Sequence, residues 1–150
     1  MVFMHKIFID GQAGTTGLEI AQKLRSLPQV ELLEIPEADR KNKQKKVAFL
    51  NQADLVILCL PDDAAKESAS LITNQTTKVL DASTAHRTHQ DWVYGLPELS
   101  PNQEIKIQKA TRVSNPGCYP TGFLLAINPL IQARIIPSSY PVVIHAVSGY

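Results

Sequence analysis

The stretch Lys6-Ile7-Phe8-Ile9-Asp10-Gly11-Gln12-Ala13-Gly14-Thr15-Thr16-Gly17 decides the fold class. Lys6 to Asp10 is a short apolar run rich in Ile and Phe, and it reads as a strand ending at a glycine. From Thr15 the period changes. Leu18, Ala21 and Leu24, with Ile20 and Leu27, recur at helical spacing until Pro28 closes the segment. Strand, glycine-rich turn and helix in that order suit a phosphate-bearing ligand. Glycines let the backbone turn tightly and approach a pyrophosphate with no Cβ in the way. The helix start then presents free N–H groups and its positive dipole end. The spacing is G-x-x-G-x-x-G, so residues 11–17 are read as the cofactor loop.

Working outward, the elements alternate. Val30 to Ile35 reads as a second strand, stopped by Pro36. Asn42 to Gln52 reads as a charged helix with Val47 and Leu50 inward. Asp54 to Leu60 is apolar almost throughout, as a parallel strand buried on both faces should be. Asp62 to Ile72 reads as a helix capped by Asp62 or Asp63, and Val79 to Ala82 as another strand. This βαβαβ order predicts an α/β fold, a Rossmann-type doubly wound parallel sheet. Residues 86–103 read as loops, and Ile105 to Val113 as a return to the sheet. Phe123, Leu124, Ile127, Leu130 and Ile131 form a helix that Asn128-Pro129 should kink or stagger. Tyr140 to Val147 reads as a strand. A chain that stops just after a central strand is expected to be the first part of a longer protein.

Composition excludes several classes. The 150 residues carry 15 Lys and Arg against 14 Asp and Glu, a formal charge of +1. A nucleic-acid coat or a membrane-surface protein would show a broad basic field. No apolar run approaches the roughly 18 residues of a membrane span, and no signal architecture opens the chain. Two cysteines favour a cytoplasmic chain with reduced thiols.

The second strand addresses cofactor choice. A carboxylate near its end, Glu34 or Glu37, would suit NAD. Basic groups in the following segment would suit the 2′-phosphate of NADP. Arg40 and Lys41 are the expected phosphate contacts, whereas Lys43, Lys45 and Lys46 read as a solvated helix face. Leu60 and Pro61 would line the same groove.

Cys118 lies in Asn115-Pro116-Gly117-Cys118-Tyr119-Pro120-Thr121, at a turn just before a helix. A helix start favours thiolate and offers amides to an oxyanion. Seen alone, Cys118 reads either as a nucleophile or as a buried thiol. Cys59, inside an apolar strand, reads as a small buried residue.

The segment VSNPGCYPTGFLLAINP (113–129) resembles the active-site signature of N-acetyl-gamma-glutamyl-phosphate reductases. The resemblance extends to the GQAGTTG loop, CLPDDAA (59–65), DASTAHR (81–87) and YGLPEL (94–99), and looks closest to the shorter, type 2 branch. It implies an NADP-binding Rossmann domain over residues 1–114. Residues 115–150 would then begin a glyceraldehyde-3-phosphate-dehydrogenase-like catalytic α/β domain. By the same resemblance, Cys118 attacks N-acetyl-glutamyl 5-phosphate in a step of arginine biosynthesis, phosphate leaves, and NADPH reduces the thioacyl group to N-acetyl-glutamate 5-semialdehyde. Arg87 would hold substrate phosphate or carboxylate, with Ser83 and Asn115 as hydrogen-bonding groups on the same edge. The partner implied is a small acyl phosphate, with no nucleic acid, no membrane and no metal, in a homo-oligomer. The family's catalytic histidine is expected beyond residue 150. His145 reads as a strand histidine at a core or interface, and His86 and His89 as loop residues near the substrate mouth. Two alternatives stand beside this reading: an aspartate-semialdehyde dehydrogenase-like enzyme, and a non-catalytic NADP-binding module.

Overall fold

Strand β1 (His5–Asp10) lies at the centre of the folding logic, because the chain leaves it in one direction and returns on its other side. The computed structural model describes residues 4–39 and 42–147. After β1 come α1 (Thr15–Arg25), β2 (Val30–Leu33), α2 (Lys43–Gln52), β3 (Leu55–Leu58), α3 (Asp62–Ser70) and β4 (Lys78–Asp81). Then follow β5 (Val93–Tyr94), α4 (Gln103–Lys109), β6 (Arg112–Ser114) and α5 (Cys118–Gln132). Among the described residues the six strands form one sheet in the order β2-β1-β3-β4-β6-β5. Every pairing is parallel. β1 pairs with β2 through Phe8 opposite Leu33, and with β3 through Asp10 opposite Leu58. The order therefore reverses between β1 and β3, the place where sheets of this kind open a crevice at their carboxyl ends. The doubly wound parallel sheet expected from the sequence is present.

The alternation of side chains along each strand divides the core into two layers. Phe8, Val56, Leu58 and Val79 face α2 and α3, packing with Leu50, Ala65, Ala69 and Trp92. Ile7, Ile9 and Ile57 face α1, packing with Ala21, Ile20 and Leu24. Leu50 has no exposed surface, as its inward placement on α2 required. Asn42 caps α2, its side chain accepting from the backbone N–H of Gln44 at 3.0 Å and of Lys45 at 3.1 Å.

Three expectations are corrected, while the helix read across residues 123–131 is present. Residues 105–113 are not one strand: α4 occupies Gln103–Lys109 and only Arg112–Ser114 joins the sheet. The reason is topological. β5, a two-residue strand inside the stretch read as loops, lies parallel to β6, and parallel neighbours need a crossover between them, which α4 supplies. Neither Asp62 nor Asp63 caps α3; Pro61 holds that position. Asp62 instead accepts from the Thr84 backbone N–H at 3.0 Å and from its hydroxyl at 2.5 Å. α5 runs through Pro129, which lies inside the helix. Tyr140 to Val147 is not a strand but exposed irregular chain. Val143 is 80% and Val147 93% exposed, and a strand needs a partner for its backbone groups, which no described strand supplies here.

Leu50→Ala should lower unfolding free energy by about 2–5 kcal/mol, because the side chain is removed from a site with no route to solvent. Urea denaturation followed by circular dichroism checks this, and a loss under about 1 kcal/mol would show that the layer beneath α2 relaxes into the gap.

Candidate functional site

The loop between β1 and α1 is shaped by its glycines in three different ways. Gly11 has φ +91°, and a Cβ there would overlap the Cys59 carbonyl and press on Leu60. A Cβ at Gly17 would overlap the Gly11 carbonyl and Gln12 Cα. These two positions need glycine for the chain's own packing. Gly14 does not. A Cβ there meets only the Gly11 carbonyl at 3.5 Å, an ordinary contact. Gly14 is also the N-cap of α1 and supplies no side-chain cap, so the first-turn amides of Thr15, Thr16 and Gly17 lack an intrahelical acceptor. The open approach at Gly14 and the uncapped helix start together fit a pyrophosphate.

Beside the loop is a cleft of about 420 Å³, lined among others by Gly11, Gln12, Ala13, Leu18, Arg25, Glu34 and Lys46. Its charges are paired. Glu34 accepts from Gln12 Nε2 at 2.9 Å and from Arg25 Nη2. The Gln12 hydrogen bond, and then that of Arg25, hold the Glu34 carboxyl below the usual glutamate range. Lys46 Nζ lies 2.7 Å from Asp10 Oδ2, and the buried Asp10 also accepts from the Ser68 hydroxyl at 2.6 Å. Lys46 thus leaves the solvated face assigned to it, while Lys43 and Lys45 pair at the surface with Glu67 and Asp39. Arg40 and Lys41 lie outside the described residues. Arg25 is the cation that sequence reasoning missed. Its signal was its place in the last turn of α1, where the side chain tilts back toward the helix start.

The next strand ends carry the second half of the site. Leu60 packs against Gly11, and Pro61 follows it exposed at the start of α3. Leu60 thus borders Gly11 of the glycine loop, while neither Leu60 nor Pro61 lines the cleft described above. Asp81, with no exposed surface, is the hub of the loop after β4. It accepts from the Ser83 backbone N–H at 2.9 Å and hydroxyl at 2.8 Å, and its Oδ2 lies 2.6 Å from His86 Nδ1. The His86 ring stacks on Trp92 with centroids 4.0 Å apart. His86 is therefore a buried framework residue rather than a group at a substrate mouth, because Asp81 and Trp92 draw it inward. Exposed His89 lies with His86 along a shallow hollow bordered by Lys66, Trp92 and Arg112. Ser83 is equally engaged: its hydroxyl also accepts from the Ala85 N–H at 3.1 Å. His145 sits in the exposed 140–147 stretch, not on a strand.

Arg87 and Asn115 are in contact beside the turn that precedes Cys118. Asn115 donates its backbone N–H to the Asp81 carbonyl at 2.7 Å. Arg87 Nε donates to the Asn115 carbonyl at 3.2 Å. A Cβ on Gly117 would stand 2.5 Å from Arg87 Nη1, so the guanidinium rests against the turn that starts α5. Cys118 is the first residue of α5, exposed, with Gly117 as a cap that offers no side chain. Asp62 lies on this edge too; the Thr84 hydroxyl beside it, and then the Thr84 N–H and the charges of Lys66 and Arg87, hold its carboxyl below the usual range. Cys59 differs from Cys118. It is half-buried, and burial, with Asp10 and Asp81 adding negative charge, pushes its thiol up. Among the described residues no cluster of three or more His, Cys, Asp or Glu is arranged to hold a metal. No helix among them is long and apolar enough to cross a membrane.

The chain is similar to known proteins in sequence and in fold. A family model described as semialdehyde dehydrogenase, NAD binding domain, matches residues 35–107. The N-acetyl-gamma-glutamyl-phosphate reductase 2 of Nostoc sp. is 56% identical over 145 residues, 97% of this chain and 45% of that protein. The corresponding reductase 2 of Pseudomonas putida is 53% identical over 144 residues, 96% of this chain and 46% of its own length. The chain thus spans slightly less than half the length of the curated relatives it matches. Among solved structures, aspartate semialdehyde dehydrogenase from Francisella tularensis superposes with a TM-score of 0.64 at 17% identity, covering 87% of this chain and 42% of that one. The Candida albicans enzyme, solved with NADP, gives 0.59 at 15% identity, covering 87% and 47%. At such identities the structural likeness shows the fold alone.

Two outcomes follow from this geometry. Gly17→Ala should cost about 2 kcal/mol or more by overpacking backbone. Gly14→Ala should cost under about 1 kcal/mol yet weaken dinucleotide binding; thermal melts and NADPH titration of both variants separate the roles. Only thiolates alkylate, so iodoacetamide near neutral pH should modify Cys118 about tenfold faster than Cys59. Cys59 should catch up only as pH rises beyond the ordinary thiol range, about 8.5. Peptide mass spectrometry over time reads both rates, and equal rates would show that burial does not distinguish the two thiols.

Proposed function

We propose, on the premise that this chain is homologous to the N-terminal part of N-acetyl-gamma-glutamyl-phosphate reductases, that it serves the NADPH-dependent reduction of N-acetyl-glutamyl 5-phosphate. The products are N-acetyl-glutamate 5-semialdehyde and phosphate. The α/β fold is that of the NAD(P)-binding domain of semialdehyde dehydrogenases. In this reading residues 1–114 form that domain and residues 115–150 begin the catalytic one.

The observation that carries the proposal is the junction of the two halves. The Asn115 backbone is bonded to Asp81 on one side and to Arg87 on the other. Cys118 therefore starts its helix immediately after a glycine, Gly117, against which the Arg87 guanidinium rests. In the proposed reaction the Cys118 sulfur attacks the acyl carbon. A C–S bond forms, the C–O bond to phosphate breaks, and phosphate leaves with the electron pair. Amides at the start of α5 face the oxyanion that develops. Arg87 neutralises the substrate's phosphate or carboxylate, and Asn115 offers its side-chain amide to the substrate carbonyl. Ser83 acts indirectly, tying Asp81 to the loop that carries Arg87. Residues 11–17, with Leu60 and Pro61, would hold the dinucleotide, the first-turn amides of α1 meeting its pyrophosphate. A reduced dinucleotide held there would supply hydride to the thioacyl carbon, and breaking the C–S bond would give the aldehyde and return Cys118 as thiolate.

The test is a spectrophotometric assay on protein from the complete reading frame, following NADPH formation from N-acetyl-glutamate semialdehyde with and without phosphate. Activity should require phosphate and fall by about ten-thousandfold or more in Cys118→Ser, with NADPH binding retained. Turnover of aspartate semialdehyde in its place would move the substrate to the neighbouring enzyme class. Dinucleotide binding with no phosphate-dependent turnover would leave a nucleotide-binding module and sink the reductase reading.

A further inference from the structure

Two described cations border the cleft beside the glycine loop, and they are not equivalent. Lys46 is committed: its ammonium neutralises Asp10, a buried carboxylate held also by Ser68. Drawing Lys46 away would strand that charge in the core, which is costly. Arg25 is half-exposed and bonded through Nη2 to a single partner among the described residues, Glu34. A guanidinium carries five N–H donors in a planar fork. It can hold a carboxylate along one edge and a phosphate along another.

Glu34 follows the last residue of β2, the position from which folds of this kind address the adenosine ribose. An unpaired carboxylate there would bond a ribose hydroxyl and repel a 2′-phosphate. Here Glu34 is already bonded by Gln12 at 2.9 Å and by Arg25. Its charge is offset, and Gln12 ties the pair to the glycine loop. We propose that Arg25 is the specificity-determining residue of this cleft: it receives the adenosine 2′-phosphate of the dinucleotide, and Glu34 holds its guanidinium in place. This rests on the cleft being a dinucleotide site. It moves the phosphate contact from the 40–41 segment to the last turn of α1.

The experiment is a fluorescence titration of the full chain with NADPH and, separately, NADH. The proteins compared are the wild type, Arg25→Ala, Arg25→Lys and the double variant Arg40→Ala/Lys41→Ala, each checked for folding by circular dichroism. Hydrogen bonds to a charged group set the scale. Arg25→Ala should weaken NADPH by about ten- to hundredfold while NADH changes by less than about twofold. Arg25→Lys, which keeps the charge and loses the fork, should fall between, and it carries the comparison if the alanine variant does not fold. Equal losses for both cofactors, or an NADPH preference that survives Arg25→Ala and disappears in the Arg40/Lys41 variant, would overturn the assignment. A wild type that binds neither dinucleotide would overturn the reading of the cleft itself, and this inference with it.

Discussion

The site depends on three stretches of backbone meeting at the carboxyl edge of the sheet with no room for side chains between them. Gly11 turns with positive φ beneath the Cys59 carbonyl, and Gly17 lies against the Gly11 carbonyl. This contact locks β1, β3 and the start of α1 into one corner. Because the corner is made of main chain, its amides are fixed before any ligand arrives, and preorganised donors lose little on binding. Gly14, which the chain's own packing leaves free, is the opening in that corner.

Charge is handled differently in the two halves of the edge. Around the cleft, each cation has a carboxylate: Arg25 with Glu34, and Lys46 with Asp10. The pairs are graded by burial. Lys46 and Asp10 are shielded and act as structure, whereas Arg25 and Glu34 are half-exposed and available to solvent. After β4, a single buried carboxylate, Asp81, gathers Ser83 and His86, and its backbone carbonyl takes the N–H of Asn115. One buried anion thereby links the loop bearing Arg87 to the turn bearing Cys118. The stacking of His86 on Trp92, with the Arg112 guanidinium 5.6 Å from the Trp92 ring, carries that link down into the core.

The two thiols illustrate how position sets chemistry. Cys59 follows a core strand and is held protonated by burial and by two nearby carboxylates. Cys118 stands at the exposed start of α5, a helix apolar along its length with no buried residue among its fifteen. It is tied to the rest of the fold through the Asn115–Gly117 turn and, among other contacts, by the bond from the Asn128 side chain to the Leu99 carbonyl at 3.0 Å.

How much was legible beforehand varies with the range of the forces involved. The strand–glycine–helix opening, the apolar β3 and the helical spacing of α1 and α2 are local patterns, and they determined the doubly wound sheet and the phosphate-suited loop. The signature around Cys118 likewise stood in consecutive residues. What only the tertiary structure decided came from partners distant in sequence. Residues 105–113 became a helix and a short strand because β5 and β6 lie side by side in parallel. Asp62 left the helix cap for Thr84, 22 positions away. His86 turned inward because Asp81 and Trp92 were there to receive it. Arg25 reached the cleft because its long side chain runs back along α1 to meet Glu34, just past the end of β2. An apolar pattern records which way a side chain faces within its own element. Which charge or ring it meets there is set by the packing of other elements against it, and no local pattern carries that information.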